Sequence, residues 1–288
     1  MKKNYFFSAV LAIAATVACT EKGPVDFPIQ GDLTLYGENV AGQEVGVFVT
    51  SDGLPQSNLL YTAAEGEGAV ALTAKAEKAG FKQGNHTIYA YAPYAEGAEL
   101  TAVPVDYSKQ STVAFDPLAD DEILAGLMLS YNSTAQSVLY ATTEVTELSS
   151  AAITLPFAAV NPLTEVTVGE PGLEGTNANA QEGKKVTKIV VTCDKPIAYT
   201  GQTLDLTTGK LVGGTAVNSI EIAADMTVKK MGYVTANGFT FKTCLTEEEV
   251  ATAKFKIEMV METGKTYAAE DKTPSYGGIY ALTLTEVE

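Results

Sequence analysis

Apolar and polar side chains alternate with a period of two along most of this chain, and that pattern allows little besides β-sheet. The clearest stretch is KFKIEMVME, Lys254 to Glu262. Phe255, Ile257, Met259 and Met261 fall on one face, Lys256, Glu258 and Glu262 on the other, and Val260 is the one apolar residue on the wet side. Successive strand side chains point to opposite sheet faces, so this pattern buries one face and wets the other. The alternation recurs at Leu33-Leu35, Val45-Val47-Val49, Ile88-Ala90-Ala92, Val103-Val105-Tyr107, Ile153-Leu155-Phe157, Ile189-Val191-Cys193 and Phe239-Phe241, each set skipping the residue between. Turn residues punctuate it at Ser51-Asp52-Gly53, Gly66-Glu67-Gly68, Thr207-Thr208-Gly209, Asn237-Gly238 and Thr263-Gly264. This rhythm predicts an all-β chain of β-sandwich type. Helical signals are few: Asp116-Pro117 opens a short turn over Leu118 to Leu124, and Thr246 with Glu249 forms a capping box before Val250.

The first 19 residues, MKKNYFFSAVLAIAATVAC, predict the compartment. Lys2 and Lys3 form a basic start, Tyr5 to Val17 an apolar run too short to span a bilayer stably, and Thr16-Val17-Ala18-Cys19 a small-residue cleavage site ending in cysteine. This is the pattern of a bacterial lipoprotein leader, with 1–18 as signal peptide and Cys19 as the lipidated residue. Two or more acyl chains make a durable anchor where one would exchange off the membrane. The competing reading is a plain secretory leader with an incidental cysteine.

Removing residues 1–18 from 288 leaves 270, which suits two domains better than one small core. The polar stretch Thr146-Glu147-Leu148-Ser149-Ser150 predicts the boundary, giving an N-terminal sandwich over 24–148 and a C-terminal one over 149–288. Residues 169–185, GEPGLEGTNANAQEGKK, read as a long surface loop inside the second half.

Charge narrows the partners. The formal net charge is −16, or −18 once Lys2 and Lys3 leave with the leader, so nucleic acid and anionic membrane surfaces are poor partners. All 19 basic residues are lysine, which removes bidentate guanidinium clamps for carboxylate or phosphate. With Cys19 acylated, Cys193 and Cys244 remain as a candidate disulfide pair, worth roughly 4 kcal/mol in the chain-entropy model for a loop of about 50 residues. Two separate buried thiols is the alternative and the favoured reading.

A search for reaction chemistry finds almost no parts, and predicts no enzyme and no cofactor. His86 is the only histidine and reads as a solvated loop residue in Gly84-Asn85-His86, so Ser-His-Asp, Cys-His and His-based zinc sites lack their components. Gly264-Lys265-Thr266 ends like a phosphate-binding loop, but Met259 stands where that motif needs glycine. Asp116, Asp120, Asp121 and Glu122 carry hard oxygens without calcium-loop spacing, and a solvated acidic turn is the expectation, with no metal. Sequence cannot place two distant carboxylates side by side, so a sugar-hydrolysing pair stays open as the weakest reading. Tyr89, Tyr91 and Tyr94 are the most conspicuous aromatic group, and on a strand Tyr89 and Tyr91 share a face. They are candidate contacts for a sugar or a partner chain; packing inside the sandwich is the simpler account.

The leader ending at Cys19, Val45-Gly46-Val47-Phe48-Val49, Tyr89-Ala-Tyr-Ala-Pro-Tyr94, Lys109-Gln110-Ser111, the Leu/Ala-Gly stretch at Ile123 to Gly126 and Ile153-Thr-Leu-Pro-Phe157 together resemble the fimbrillin family of Bacteroidetes, subunits and anchors of type V pili. The resemblance implies two transthyretin-like β-sandwich domains in tandem and a place on the outer membrane, lipid-anchored and at the cell surface. It implies adhesion through other pilus subunits, joined by strand complementation, with a host or bacterial surface ligand and no enzyme activity. In the family's polymerising subunits a trypsin-like protease removes an N-terminal strand. This chain departs from that pattern, because no basic residue lies between Lys22 and Lys75. The expectation is a retained lipid and an anchor or accessory role. A surface glycan-binding lipoprotein is the alternative. The alternating C-terminal segment Ile279 to Val287 is either a donated strand or, as favoured, the closing strand of its own domain.

Overall fold

The computed structural model describes residues 34–51, 54–55, 57–79, 85–123, 126, 129–145, 152–231, 233–272 and 282–287. Within them the protein is nearly all β, as the alternation predicts. The first strands are β1 (Leu35–Glu38), β2 (Glu44–Ser51), β3 (Leu54–Pro55), β4 (Leu59–Ala63), β5 (Ala69–Ala74) and β6 (His86–Ala92). Next come β7 (Val103–Val105), β8 (Lys109–Phe115), β9 (Ser130–Ser133), β10 (Leu139–Val145), β11 (Ile153–Pro156) and β12 (Ala158–Ala159). The chain continues through β13 (Thr164–Val168), β14 (Gly172–Glu174), β15 (Lys185–Cys193), β16 (Ala198–Asp205), β17 (Lys210–Val217) and β18 (Ser219–Met231). It finishes with β19 (Tyr233–Ala236), β20 (Gly238–Thr243), helix α1 (Glu247–Thr252), β21 (Phe255–Met261), β22 (Thr266–Lys272) and β23 (Thr283–Glu286).

One sheet runs β11-β1-β5-β4-β2-β6-β10-β12, with β3 attached to β2. Its two ends are stitched by a single stretch of chain. β11 lies parallel to β1, and after one intervening residue, Phe157, β12 pairs antiparallel with β10. Phe157 and Leu155 are buried there against Val45, Val47, Val49, Ile88 and Ala90, so the stitch is held by apolar packing as well as by backbone bonds.

In the other sheet, β18 is long enough to pair twice. Residues 219–227 pair with β15, residues 228–231 with β19, and the ring β18-β15-β21-β22-β23-β14-β19 returns to β18. A branch leaves that ring through β8 and runs β8-β9-β20-β13, while β17-β16-β7 form a separate three-stranded sheet. On β21 the predicted faces hold: Phe255, Ile257, Met259 and Met261 are buried, and Gly264 supplies the left-handed φ of +81° at the following turn. The predicted capping box also forms, with the Thr246 hydroxyl accepting from Glu249 N at 3.2 Å and the Glu249 carboxylate accepting from Thr246 N at 2.9 Å.

Strand pairing crosses the expected 148/149 boundary in both directions. β11 and β12 join the N-terminal sheet, whereas β7, β8 and β9 pair with β16, β18 and β20. The polar stretch that suggested the boundary, 146–151, lies outside the described residues. Two expectations are corrected. His86 is not a solvated loop residue but the first residue of β6, 3% exposed, because the run of apolar alternation behind it extends the strand one position earlier. Residues 169–185 are not wholly a surface loop: β14 and a 3-10 turn over Ala178–Gln181 lie in it, with Leu173, Ala178 and Gln181 buried. A three-residue strand among Gly and Asn is too short to display a period.

Candidate functional site

The tyrosines sit where two cores meet. On β2, Val45, Val47 and Val49 face the first core while Phe48 faces the second, and β6 divides in the same way between Ile88, Ala90, Ala92 and Tyr91. A strand buried on both faces reads as a nearly continuous apolar run, which accounts for VGVFV and for the scarcity of polar residues in IYAYA. Tyr89 and Tyr91 do share a face, as predicted. That face is covered, however, by the strands of the second core.

Tyr91 has no exposed surface, so its role as a ligand contact is corrected: it is a packing residue. Its hydroxyl donates to Ala95 O at 3.0 Å and accepts from Ala95 N at 3.2 Å and Asn58 Nδ2 at 3.0 Å. Burial pushes its pKa above the usual phenol value. The ring stacks near Phe48, with centroids 6.4 Å apart, and lies over Gly46, its register partner. Tyr89 and Tyr94 are half-buried against the second core. From β10, the Tyr140 hydroxyl donates to Leu206 O at 2.9 Å and ties the N-terminal sheet to the turn between β16 and β17.

Cys193 and Cys244 are free thiols, the first buried and the second half-buried. Each has partners of its own: Cys193 Sγ accepts from Lys195 N at 3.4 Å, and Cys244 Sγ accepts from Asn161 Nδ2 at 3.6 Å. Burial raises both thiol pKa values, so neither is poised as a nucleophile. Cys19 lies outside the described residues. In the acidic turn, Asp116 directs its carboxylate at the backbone, accepting from Leu118 N at 3.0 Å and Gly126 N at 2.5 Å. Among the described residues no three His, Cys, Asp or Glu side chains converge on a metal-sized position, and no helix is long and apolar enough to cross a membrane.

Sequence reasoning noted Gln110 without assigning it a task. β9 stops at Ser133, and beyond that point the Gln110 side chain spans the gap from β8 to β20. Its Nε2 donates to Lys242 O at 2.6 Å and Tyr107 O at 3.1 Å, while Oε1 accepts from Lys242 N at 3.0 Å and Ser133 Oγ at 2.7 Å. The amide thus bonds Lys242 in both directions, as a strand residue would. The readable signal was an amide at an inward position of a strand, where a buried polar group must be fully satisfied.

Of the alternating segment 279–287, residues 279–281 lie outside the described residues, and β23 is an internal member of the ring. β23 pairs antiparallel with β22 and parallel with β14, and Leu282 and Leu284 are buried. Glu286 locks it: its carboxylate takes Lys265 Nζ at 2.9 Å, Asn177 Nδ2 at 2.6 Å and Asn177 N at 3.1 Å. The Lys265 ammonium first, and then the Asn177 donors, hold its pKa down at about 2. An unfolded glutamate titrates near 4.3, so the folded value is the lower one; the stabilisation is complete above about pH 5 and is lost as pH falls towards 2. Glu286→Gln is expected to flatten this acid limb. Urea midpoints of parent and variant measured from pH 7 to pH 2 should converge at the acid end, and a constant gap would contradict the lock.

These features define an all-β protein of interleaved sheets whose conspicuous side chains are spent on holding strands together. No protein-family model matches the chain, and no curated protein matches it in sequence. Among solved structures it is similar to a candidate cell adhesion protein from Bacteroides ovatus, with 17% identity and a TM-score of 0.37 over 89% of this chain and 95% of the other. It is also similar to a candidate cell adhesion protein from Bacteroides thetaiotaomicron, at 14% identity and a TM-score of 0.27 over 85% and 77% of the two chains. A fimbrial assembly protein from Parabacteroides distasonis aligns at 12% identity and a TM-score of 0.27 over 82% and 97%. At these identities and scores the three do not assign the chain.

Proposed function

We propose that this chain is a fimbrillin-like surface lipoprotein, an anchor or accessory subunit in pilus-mediated adhesion, held to the outer membrane through lipid on Cys19. It catalyses no reaction and joins other subunits by strand complementation. The observation that carries the reading is the seat of β23: the C-terminal strand closes its own ring between β14 and β22 and is committed to its own fold. A stalk subunit must give a strand away, whereas an anchor has only to receive one. The lipoprotein leader and the lack of a basic residue between Lys22 and Lys75 support the same role. The glycan-binding alternative loses Tyr91, which is buried.

Two measurements test this. Cys19→Ser is expected to move the protein from the membrane fraction to the soluble fraction, and N-terminal sequencing of surface material should begin at the acylated cysteine. A start anywhere in residues 40 to 74 would overturn the retained anchor. Deleting residues 279–288 is expected to leave insoluble protein; a soluble, folded deletion that no longer captures pilus subunits would instead make the segment a donor.

A further inference from the structure

Strand β8 is paired on both sides only at its start. Lys109, Gln110 and Ser111 lie beside Glu221, Ile222 and Ala223 of β18, but after Ala223 the long strand curls away to close the ring. From Thr112 to Phe115, β8 has β9 as its only strand partner among the described residues. Ser111 O accepts from Thr134 N, so Ser111 faces β9, and strand alternation then directs the backbone N–H and C=O groups of Thr112 and Ala114 to the open side. The outer face of this same hairpin carries Val113 at 56% and Phe115 at 52% exposure, and Ile123 at 91% lies in its connecting loop. These are three of the six large apolar residues exposed in the described chain. They flank an unpaired edge.

Charge limits what could cover that edge. Asp116, Asp120, Asp121 and Glu122 lie at the hairpin end, and no basic residue occurs between Lys109 and Lys184. An acidic partner strand would meet repulsion there, and a lysine-bearing one attraction. The opposite case is β17, the other long edge. There Gly213 and Gly214, with φ of +67° and +89°, and Gly201 on β16 distort the pairing, which blunts an edge against addition. Residues 112–115 carry no such distortion.

We infer that the open edge of β8 at Thr112 to Phe115 is a strand-addition site for an extended segment of another subunit, one with apolar side chains at alternate positions and lysine at the end that meets the acidic loop. The inference rests on the assembly reading only for the kind of partner; the edge itself is argued from pairing, exposure and charge. A defined probe tests it. An acetylated peptide alternating valine and threonine, with lysine at both ends, is titrated against the isotope-labelled protein, alongside the same peptide with glutamate in place of lysine. The lysine peptide is expected to shift and protect the Thr112 and Ala114 amides and to bind at least tenfold more tightly than the glutamate peptide at low salt. Phe115→Ser, an exposed position that can change without loss of fold, should weaken it about tenfold. Shifts confined to β13 or β17, equal binding by both peptides, or concentration-dependent self-association through β8 would each overturn the site. None of these outcomes bears on whether the protein is lipidated or co-purifies with pilus subunits, so the two proposals can fail separately.

Discussion

Replacing Gln110 with leucine is expected to destabilise the protein by about 3–5 kcal/mol. The isobutyl group fits the space of an amide but can pair with nothing. It leaves Lys242 N–H and C=O, the Tyr107 carbonyl and the Ser133 hydroxyl without the partner they have now. Each buried polar group so orphaned costs about 1–3 kcal/mol, and partial access to water for some of them sets the upper limit. Gln110→Glu tests the direction of the bonds. A carboxylate would place a negative oxygen against the Lys242 and Tyr107 carbonyls, so the folded state raises the pKa of that carboxyl above its unfolded value. The variant is therefore expected to be least stable at neutral pH and to recover as pH falls through the raised value, where the protonated acid regains a donor. Urea midpoints at pH 7 and pH 4.5 check this. A leucine variant within 1 kcal/mol of the parent, or a glutamate variant indifferent to pH, would show that β8 and β20 are held by something else.

Gly46→Ala should come next in size, at about 2–4 kcal/mol. A Cβ at this position would lie inside contact distance of the Tyr91 ring and 2.7 Å from its hydroxyl. That ring cannot swing away, because Asn58 and Ala95 hold the hydroxyl and the second core covers the face. The clash should be relieved by shortening the ring: Gly46→Ala combined with Tyr91→Ala is expected to be less destabilised than the sum of the single changes, a coupling that thermal or urea unfolding of the four proteins measures. Strict additivity would mean that the two positions do not touch.

These two positions show how much of the fold could be read in advance. VGVFV and YAYAPY were both visible as strand signals, and the strands they predict exist at Glu44–Ser51 and His86–Ala92. Their pairing in register, with Gly46 opposite Tyr91, could not be read, because residues 45 positions apart carry no local sign of facing each other. The same blindness affected Gln110, whose partner Lys242 is 132 residues away. It also affected residues 153–159, which read as the opening of a second half and instead stitch the first sheet. The candidate site fared less well than the fold, since exposure decides whether a tyrosine meets a ligand or a neighbouring sheet, and exposure depends on what arrives from elsewhere in the chain.

The sequence by itself determined that this protein is made of strands, which side of β21 is dry and where α1 starts; each follows from residues a few positions apart. Only the tertiary structure decided that the tyrosine face is covered, that the last strand closes its own ring and that β8 keeps an open edge. Those outcomes are set by long-range strand pairing, where the energy lies in backbone bonds and apolar contacts between segments that local patterning leaves free to choose their partners.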